Sequence, residues 1–478
     1  MTPPPQPETP SGVGLPVLVT LTLAVTLLAM AASGIFARFP FNGNEGWNAL
    51  HALDAMRGTP LYRFDGLANF NNYPPLGFYI FGAAGALVGD IVFAGRLLSL
   101  ASQLAVTLIV GLLVLRLGGS RLAALAAAGL VLLFAALAAP RYIVVADPQW
   151  LAHVPQLLGL LLLLAADPGR LSFRRLALVF GLLLAGGLIK HNLVALPVAI
   201  TIWLMLRDRR AIAAWLALAA ISLPLLGLFA QLLYGPDIFA QILGHRRLLG
   251  LGELGFSGEA LLFLIPPALL ASRVAWTGRG APGLQLLGIY LLAAALFGLF
   301  FALGRGVAAN AWFDLAFAVL PLTAIALGRL GMLEAGWLQR GRPRHLLLAI
   351  PALLPALLLL PGALGYYGAR LSAADYAAEV EPVIAALRDA PGPVACEDPT
   401  FCYWAGRDNA VDFTNAGQRM LLDASALAEF GALLATRQLA LLQLYDATSA
   451  SLPAAANAAI GQYYAPVTAA PVHLYAPR

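Results

Sequence analysis

The chain has 478 residues, 60% of them hydrophobic and 11% charged, with a mean hydropathy of +0.81. Soluble domains carry about 25% charged residues, so the composition excludes a soluble globular protein and specifies a polytopic α-helical membrane protein with a small water-exposed part. The formal charge of +5 divides unevenly: residues 370–478 hold 11 acids and 6 arginines, and the rest holds 13 acids and 23 basic residues. Those basic residues sit in short loops between apolar runs, which argues against a nucleic-acid surface.

Residues 1–12 read as a short disordered tail on the cytoplasmic side. The apolar run from Val13 to Phe36 lacks a basic n-region and an early Ala-x-Ala site, so it reads as a retained spanning helix. A polar first outer loop, 38–96, follows, with Glu45, Asp54 and Asp65 close behind that helix. Further apolar runs near 97–115, 121–139, 150–166, 174–189, 192–206, 211–234, 257–272, 283–303, 311–328 and 345–365 bring the expected crossings to about 11. The run 74–88 opens with two prolines, is rich in glycine, and is expected to lie at the interface or re-enter. With that parity, the loops at Arg116/Arg121, Arg170/Arg174/Arg175, Arg207/Arg209/Arg210, Arg273/Arg279 and Arg329/Arg340/Arg342/Arg344 share one side, which the positive-inside rule makes cytoplasmic. Glu45, Asp54, Asp65, Asp147, Asp237 and Glu253 then face outward. The expected organisation is a membrane domain over 13–369 and a small α/β domain outside over 370–478.

Within that last part, PVACEDPTFCYWAGRD reads as a strand, turn and short helix. ALAEFGALLATRQLALLQLYD reads as a helix and strand, and PVHLYAPR as a final strand. Cys396 and Cys402, the only cysteines, are spaced to close a disulfide in an oxidising compartment or to remain two thiols.

The chemistry-bearing candidates fall on the outer side. Glu45 lies among Asn42, Asn44, Trp47 and Asn48, where a carboxylate at a dry boundary suits a general base and a solvated loop acid is the plain alternative. Asp147 precedes the fourth crossing; it can orient an acceptor hydroxyl, help hold a divalent cation, or simply start the helix. Lys190 is the one lysine against 28 arginines. A lone ammonium near a membrane boundary requires a partner, such as a phosphate, or must snorkel to the headgroups. His245, Arg246 and Arg247 place cations outside, where they suit an anionic ligand or anionic lipid. Arg305 precedes Asn310, Trp312 and Asp314; aromatic rings mixed with amides and acids suit a sugar, or mark an ordinary membrane interface. No Walker loop, dinucleotide-binding glycine fingerprint, zinc-type Cys/His set or GxSxG elbow is present in a usable context.

The run Asn44-Glu45, Trp47, Met56, Gly58, Tyr62, Tyr73-Pro74-Pro75-Leu76, Gly89 and Arg96-Leu97 resembles the N-terminal pattern of the bacterial GT-C superfamily of integral-membrane glycosyltransferases. The likeness is to the broad group of lipid A aminoarabinose transferases and protein O-mannosyltransferases. In that pattern an Asp-Glu pair follows the first helix; here Asn44 replaces the Asp.

The resemblance implies a GT-C-like fold in a bacterial cytoplasmic membrane, with a polyprenyl-phosphate-linked sugar donor and a lipid, glycan or protein acceptor. It implies Glu45 as the likelier base, Asp147 as a second catalytic carboxylate and Lys190 at the donor phosphate, where the outward cations Arg246, Arg247 and Arg305 are expected to join it. Asn44, Trp47, Tyr62, Tyr73, His245, Asn310 and Trp312 are the expected substrate contacts, and a Mg or Mn ion is an open possibility. The competing readings are a transporter or flippase of a lipid-linked substrate and a non-catalytic membrane scaffold.

Overall fold

A computed structural model describes residues 13–64, 66–165, 171–244, 246–333, 343–468 and 472–478. The N-terminal tail, Asp65, Arg170, His245, Arg340 and Arg342 lie outside the described residues. The membrane part opens with α1 (Leu15–Ala32), and the first outer segment folds into α2 (Asn44–Arg57) and α3 (Leu76–Val88). There follow α4 (Ile91–Arg116), α5 (Arg121–Ala138), α6 (Gln149–Leu164), α7 (Phe173–Ile189), α8 (Ala195–Arg207) and α9 (Arg209–Tyr234). The last membrane-part helices are α10 (Asp237–Gly244), α11 (Gly258–Thr277), α12 (Pro282–Ala302), α13 (Phe313–Arg329) and α14 (Pro343–Leu371).

Among the described residues seven helical segments are long and apolar enough to cross a membrane: α1, α4, α5, α9, Leu251–Thr277, α12 and Ala309–Arg329. The expectation of about 11 crossings is corrected by length. Helices α6, α7 and α8 have 16, 17 and 13 residues, a rise of about 20–26 Å against a hydrocarbon core of ~30 Å. Helix α14 has 29 residues, and the side chains of 343–353 are outside those described. Helix α3, with 13 residues, is likewise too short to cross; it stops at Gly89, whose φ of 91° only glycine adopts freely.

The membrane core centres on α5 and α13, whose small and branched residues are buried nearly all round. Phe134, Trp150 and Phe313 interlock there, with Phe313 ring centroids 5.7 Å from Phe134 and 4.8 Å from Trp150. Helix α9 is the opposite case, with only 6% of its apolar window buried.

The C-terminal part consists of α15 (Ala373–Asp389), β1 (Val394–Cys396), α16 (Pro399–Trp404), α17 (Phe413–Leu422), α18 (Ala424–Ala435), β2 (Leu441–Leu444), α19 (Ala454–Tyr463), β3 (Tyr464–Thr468) and β4 (His473–Pro477). The sheet order is β1-β2-β4-β3, with β1 parallel to β2 and the other pairs antiparallel. The parallel pair needs a long crossover, which α16, α17 and α18 supply. A disulfide joins Cys396 at the end of β1 to Cys402 in α16.

This domain is seated on the first outer segment. Gly46 of α2 passes so close to Pro399 and Thr400 that a Cβ there would collide with their backbone. Trp404 Nε1 donates to Asp90 Oδ2 at 3.0 Å, and Ile91 N donates to the Tyr403 hydroxyl at 2.8 Å.

Candidate active site

The polar segment after α1 and the 139–148 loop meet at one end of the bundle, and Glu45 joins them, paired with Arg96 and bonded by Ala146 N. Arg96 in α4 donates from Nε to Glu45 Oε1 at 2.8 Å and from Nη2 to Oε2 at 2.7 Å, with both side chains fully buried. The same guanidinium donates to the carbonyls of Ile35, Ala37 and Phe39. Glu45 also accepts from Phe41 N at 2.9 Å and from Ala146 N at 3.1 Å. Both carboxylate oxygens are therefore saturated with charge-assisted and backbone bonds. Phe41 lies between two guanidinium groups, Arg96 at 4.0 Å and Arg370 at 4.2 Å, and Arg370 donates to Ile143 O at 2.7 Å. The expected general base is thus a buried clamp between the first outer segment and the 139–148 loop.

That loop carries Asp147. Val144, fully buried within it, holds φ at 52°, an uncommon conformation for a β-branched residue and a sign of a backbone over-determined by its surroundings. Asp147 Oδ1 accepts from Gln149 N at 2.8 Å, one residue ahead of Pro148, which caps α6. It also accepts from Lys190 Nζ at 3.1 Å, and Asn44 Nδ2 approaches Oδ2 at 3.4 Å. Lys190 follows α7, is 2% exposed, and sits 4.8 Å over the Tyr73 ring. It does not snorkel; its partner is Asp147.

Lys190, Asn44 and Tyr73 line a cavity of about 770 Å³ between the membrane part and the C-terminal domain. Arg246, Arg247, Asn310 and Trp47 join the lining. The C-terminal domain supplies the opposite wall, including Glu397, Asp412, Asn415 and Gln418. Three cations from the membrane part thus face two carboxylates across one space. Burial pushes the Glu397 and Asp412 carboxyls above their ordinary range, against hydrogen bonds from Ser449 and Tyr445 to the first and from Asn415 and Trp47 to the second. Among the described residues no group of three or more His, Cys, Asp and Glu side chains converges to hold a metal ion.

The other expected residues are elsewhere. Glu45 and Asp147 are not in the lining, although Asp147 touches it through Lys190 and Asn44. Arg305 contributes its backbone: Arg247 Nη1 donates to its carbonyl at 2.9 Å, and its side chain is not in the wall. Tyr62 is packed 1% exposed and donates to Tyr73 O at 2.8 Å, buttressing the Tyr73 segment. Trp312 is 3% exposed inside the bundle, packed so close to Gly298 that a Cβ there would crowd its ring. His245 is outside the described residues.

Sequence reasoning missed Arg96, Glu397, Asp412 and Gln418 as site-forming residues. A signal existed for Glu397, which directly follows β1, because open α/β sheets gather ligand groups at the carboxyl ends of strands. Arg96 stood in the motif as Arg96-Leu97, which gave no hint of its partner; for Asp412 and Gln418, nothing local says that they face the membrane part.

The fold has known counterparts. It is similar to ArnT from Cupriavidus metallidurans in the apo state, with a TM-score of 0.58 and 16% identity over 96% of this chain and 97% of that one. The structure of the same protein bound to undecaprenyl phosphate gives a TM-score of 0.59, again at 16% identity with 96% and 97% covered. The archaeal oligosaccharyltransferase AglB from Archaeoglobus fulgidus, in complex with an inhibitory peptide and a dolichol-phosphate, gives 0.55 at 13% identity over 97% of this chain and 74% of that one. No protein-family model and no curated protein matches the sequence. The chain shares the overall fold of these structures. At these identities the likeness is one of architecture.

Proposed function

We propose that this protein transfers a sugar from a polyprenyl-phosphate-linked donor to an acceptor hydroxyl at the outer face of a bacterial cytoplasmic membrane. The observation that carries the reading is the single cavity in which Lys190, Arg246 and Arg247 face Glu397 and Asp412. Its place between the membrane helices and the outer domain lets a lipid tail stay in the bilayer while the phosphate enters the cation cluster. The likeness to a fold seen with undecaprenyl phosphate supports this arrangement.

In the mechanism we assign, the donor phosphate sits against Lys190, Arg246 and Arg247. Those cations accelerate transfer to the extent that they hold the departing phosphate more tightly as the glycosyl–oxygen bond breaks. Asp147 fixes the Lys190 ammonium and so acts as a positioning residue. Asp412, whose buried carboxyl has a raised proton affinity, takes the acceptor proton. Glu45 is reassigned from base to structural clamp because a buried ion pair with Arg96 holds it outside the cavity lining, whereas Asp412 lines the cavity and is held by the neutral donors Trp47 and Asn415. A single displacement inverts the anomeric configuration.

The test is sugar transfer by the purified full-length protein in detergent from defined polyprenyl-phosphate sugars, with product configuration read by NMR. Product of inverted configuration, lost in Asp412→Asn with folding retained, is the expected result. Lipid movement in vesicles without any glycosyl product would replace the transferase with a flippase.

A further inference from the structure

A second cavity, of about 560 Å³, lies on the far side of Trp47 from the first. Trp47, Pro399 and Asp412 line both spaces, and Trp47 Nε1 donates to Asp412 Oδ2 at 3.1 Å across the divide. The two cavities are therefore separated by one indole, one proline and one carboxylate. A group-transfer site needs its two substrates to meet at the reacting atoms, and this thin wall is where a donor in the first cavity and a ligand in the second would meet.

The two spaces differ in charge. The first presents three cations and two carboxylates among the described residues. The second presents Asp54, Asp408, Asp412 and Glu429 against one guanidinium, Arg63, which itself lies 4.0 Å from Asp54. A phosphate is drawn to the first and repelled by the second. On one side of the second cavity Trp47 and His51 contribute to the lining, their rings packed 4.2 Å apart and His51 backed by Phe78, which puts aromatic edges on that wall. On its rim, Glu429 reaches so close to Gly66 that a Cβ there would lie 2.8 Å from Oε1. An aromatic wall bordered by carboxylates in a space of this size matches one or two sugar rings, whose apolar C–H faces pack on the wall and whose hydroxyls or amines donate.

We propose that the second cavity is the acceptor subsite and takes a carbohydrate free of phosphate, neutral or amine-bearing. The inference rests on the transferase reading above. In the step, the acceptor O–H loses its proton to Asp412, the oxygen bonds to the anomeric carbon, and the electron pair of the breaking carbon–oxygen bond leaves on the lipid phosphate.

The experiment measures binding of four probes to the purified full-length protein by calorimetry: a glucosamine trisaccharide, an N-acetylglucosamine trisaccharide, glucosamine 6-phosphate and trilysine. Undecaprenyl phosphate binding is measured on the same samples. The glucosamine trisaccharide should bind best and the phosphorylated sugar at least tenfold more weakly. The double variant Asp408→Asn/Glu429→Gln, at two exposed positions, should weaken the trisaccharide at least fivefold and leave undecaprenyl phosphate unchanged. Equal binding of the phosphorylated sugar, tighter binding of trilysine, or indifference to the double variant overturns the proposal. Failure of the transferase reading would show separately, as wild-type protein that binds no undecaprenyl phosphate while still binding the trisaccharide.

Discussion

Lys190 Nζ lies 3.1 Å from Asp147 Oδ1, so the one lysine of the chain meets its counter-ion inside the protein before any ligand arrives. A buried ammonium held this way is pre-aimed, and its loss leaves a buried carboxylate unpaired. Lys190→Ala should lower kcat/KM for sugar transfer by about 10²–10³-fold. Lys190→Arg should not rescue it, because the larger planar guanidinium must fit a 2% exposed position over the Tyr73 ring. Steady-state transfer assays on both variants, normalised to folded protein, decide this.

Glu45 and Arg96 give a different signature. Removing one partner of a fully buried pair costs about 3–5 kcal/mol, whereas loss of a base lowers turnover at unchanged stability. Glu45→Gln should depress the thermal unfolding midpoint in detergent, and the fraction that stays folded should retain most of its turnover. A normal midpoint with abolished turnover would return Glu45 to the chemistry.

Arg247 and Arg305 separate side chain from backbone. Arg247→Ala removes a lining cation and should weaken undecaprenyl phosphate binding about tenfold, in line with ~1.5–3 kcal/mol for a hydrogen bond to a charged group. Arg305→Ala keeps the carbonyl that Arg247 grips and should change binding by less than about threefold. Parallel titrations of the two variants provide the comparison.

Asp398 sets a pH dependence in the outer domain. It is 1% exposed, accepts from Thr400 N at 2.9 Å and from the Tyr445 hydroxyl at 2.6 Å, and burial pushes its carboxyl above the ordinary value. Below the unfolded value of about 4 both states hold the proton and its contribution is complete. As pH rises, the unfolded chain ionises first, and stability falls until the raised folded value is passed. Asp398→Asn should flatten the decline in unfolding temperature measured from pH 4 upward.

Gly46→Ala tests the seat of the outer domain. A methyl group there meets the Pro399 and Thr400 backbone, which cannot swing aside as a flexible side chain would. The variant should lose sugar transfer, and limited proteolysis should cut between residues 370 and 394 faster than in the wild type.

The C-terminal strands β1, β2 and β4 were legible because short branched runs bounded by turn residues report directly on local structure. Composition also gave the polytopic class. The number of crossings was overcounted because hydropathy marks burial in protein and in lipid alike; α6 and α8 are apolar yet short. For the site, rarity singled out Lys190, and the loop cations Arg246 and Arg247 line the same cavity as Lys190. The buried pairing of Glu45 was invisible in the sequence for a physical reason. An acid in a polar loop reads as available until its partner is known, and Arg96 lies 51 residues away in a hydrophobic helix. Glu397 and Asp412 escaped for the same reason, since their relation to the membrane part is wholly tertiary.

Both cavities borrow a wall from the C-terminal domain, and Pro399 and Asp412 belong to both walls. A chimera that keeps the membrane part and exchanges this domain would therefore change both halves of substrate choice together. Under the proposed function, sequence drift in some hundred residues would redirect the protein while the buried Lys190–Asp147 pair of the membrane part stays as it is.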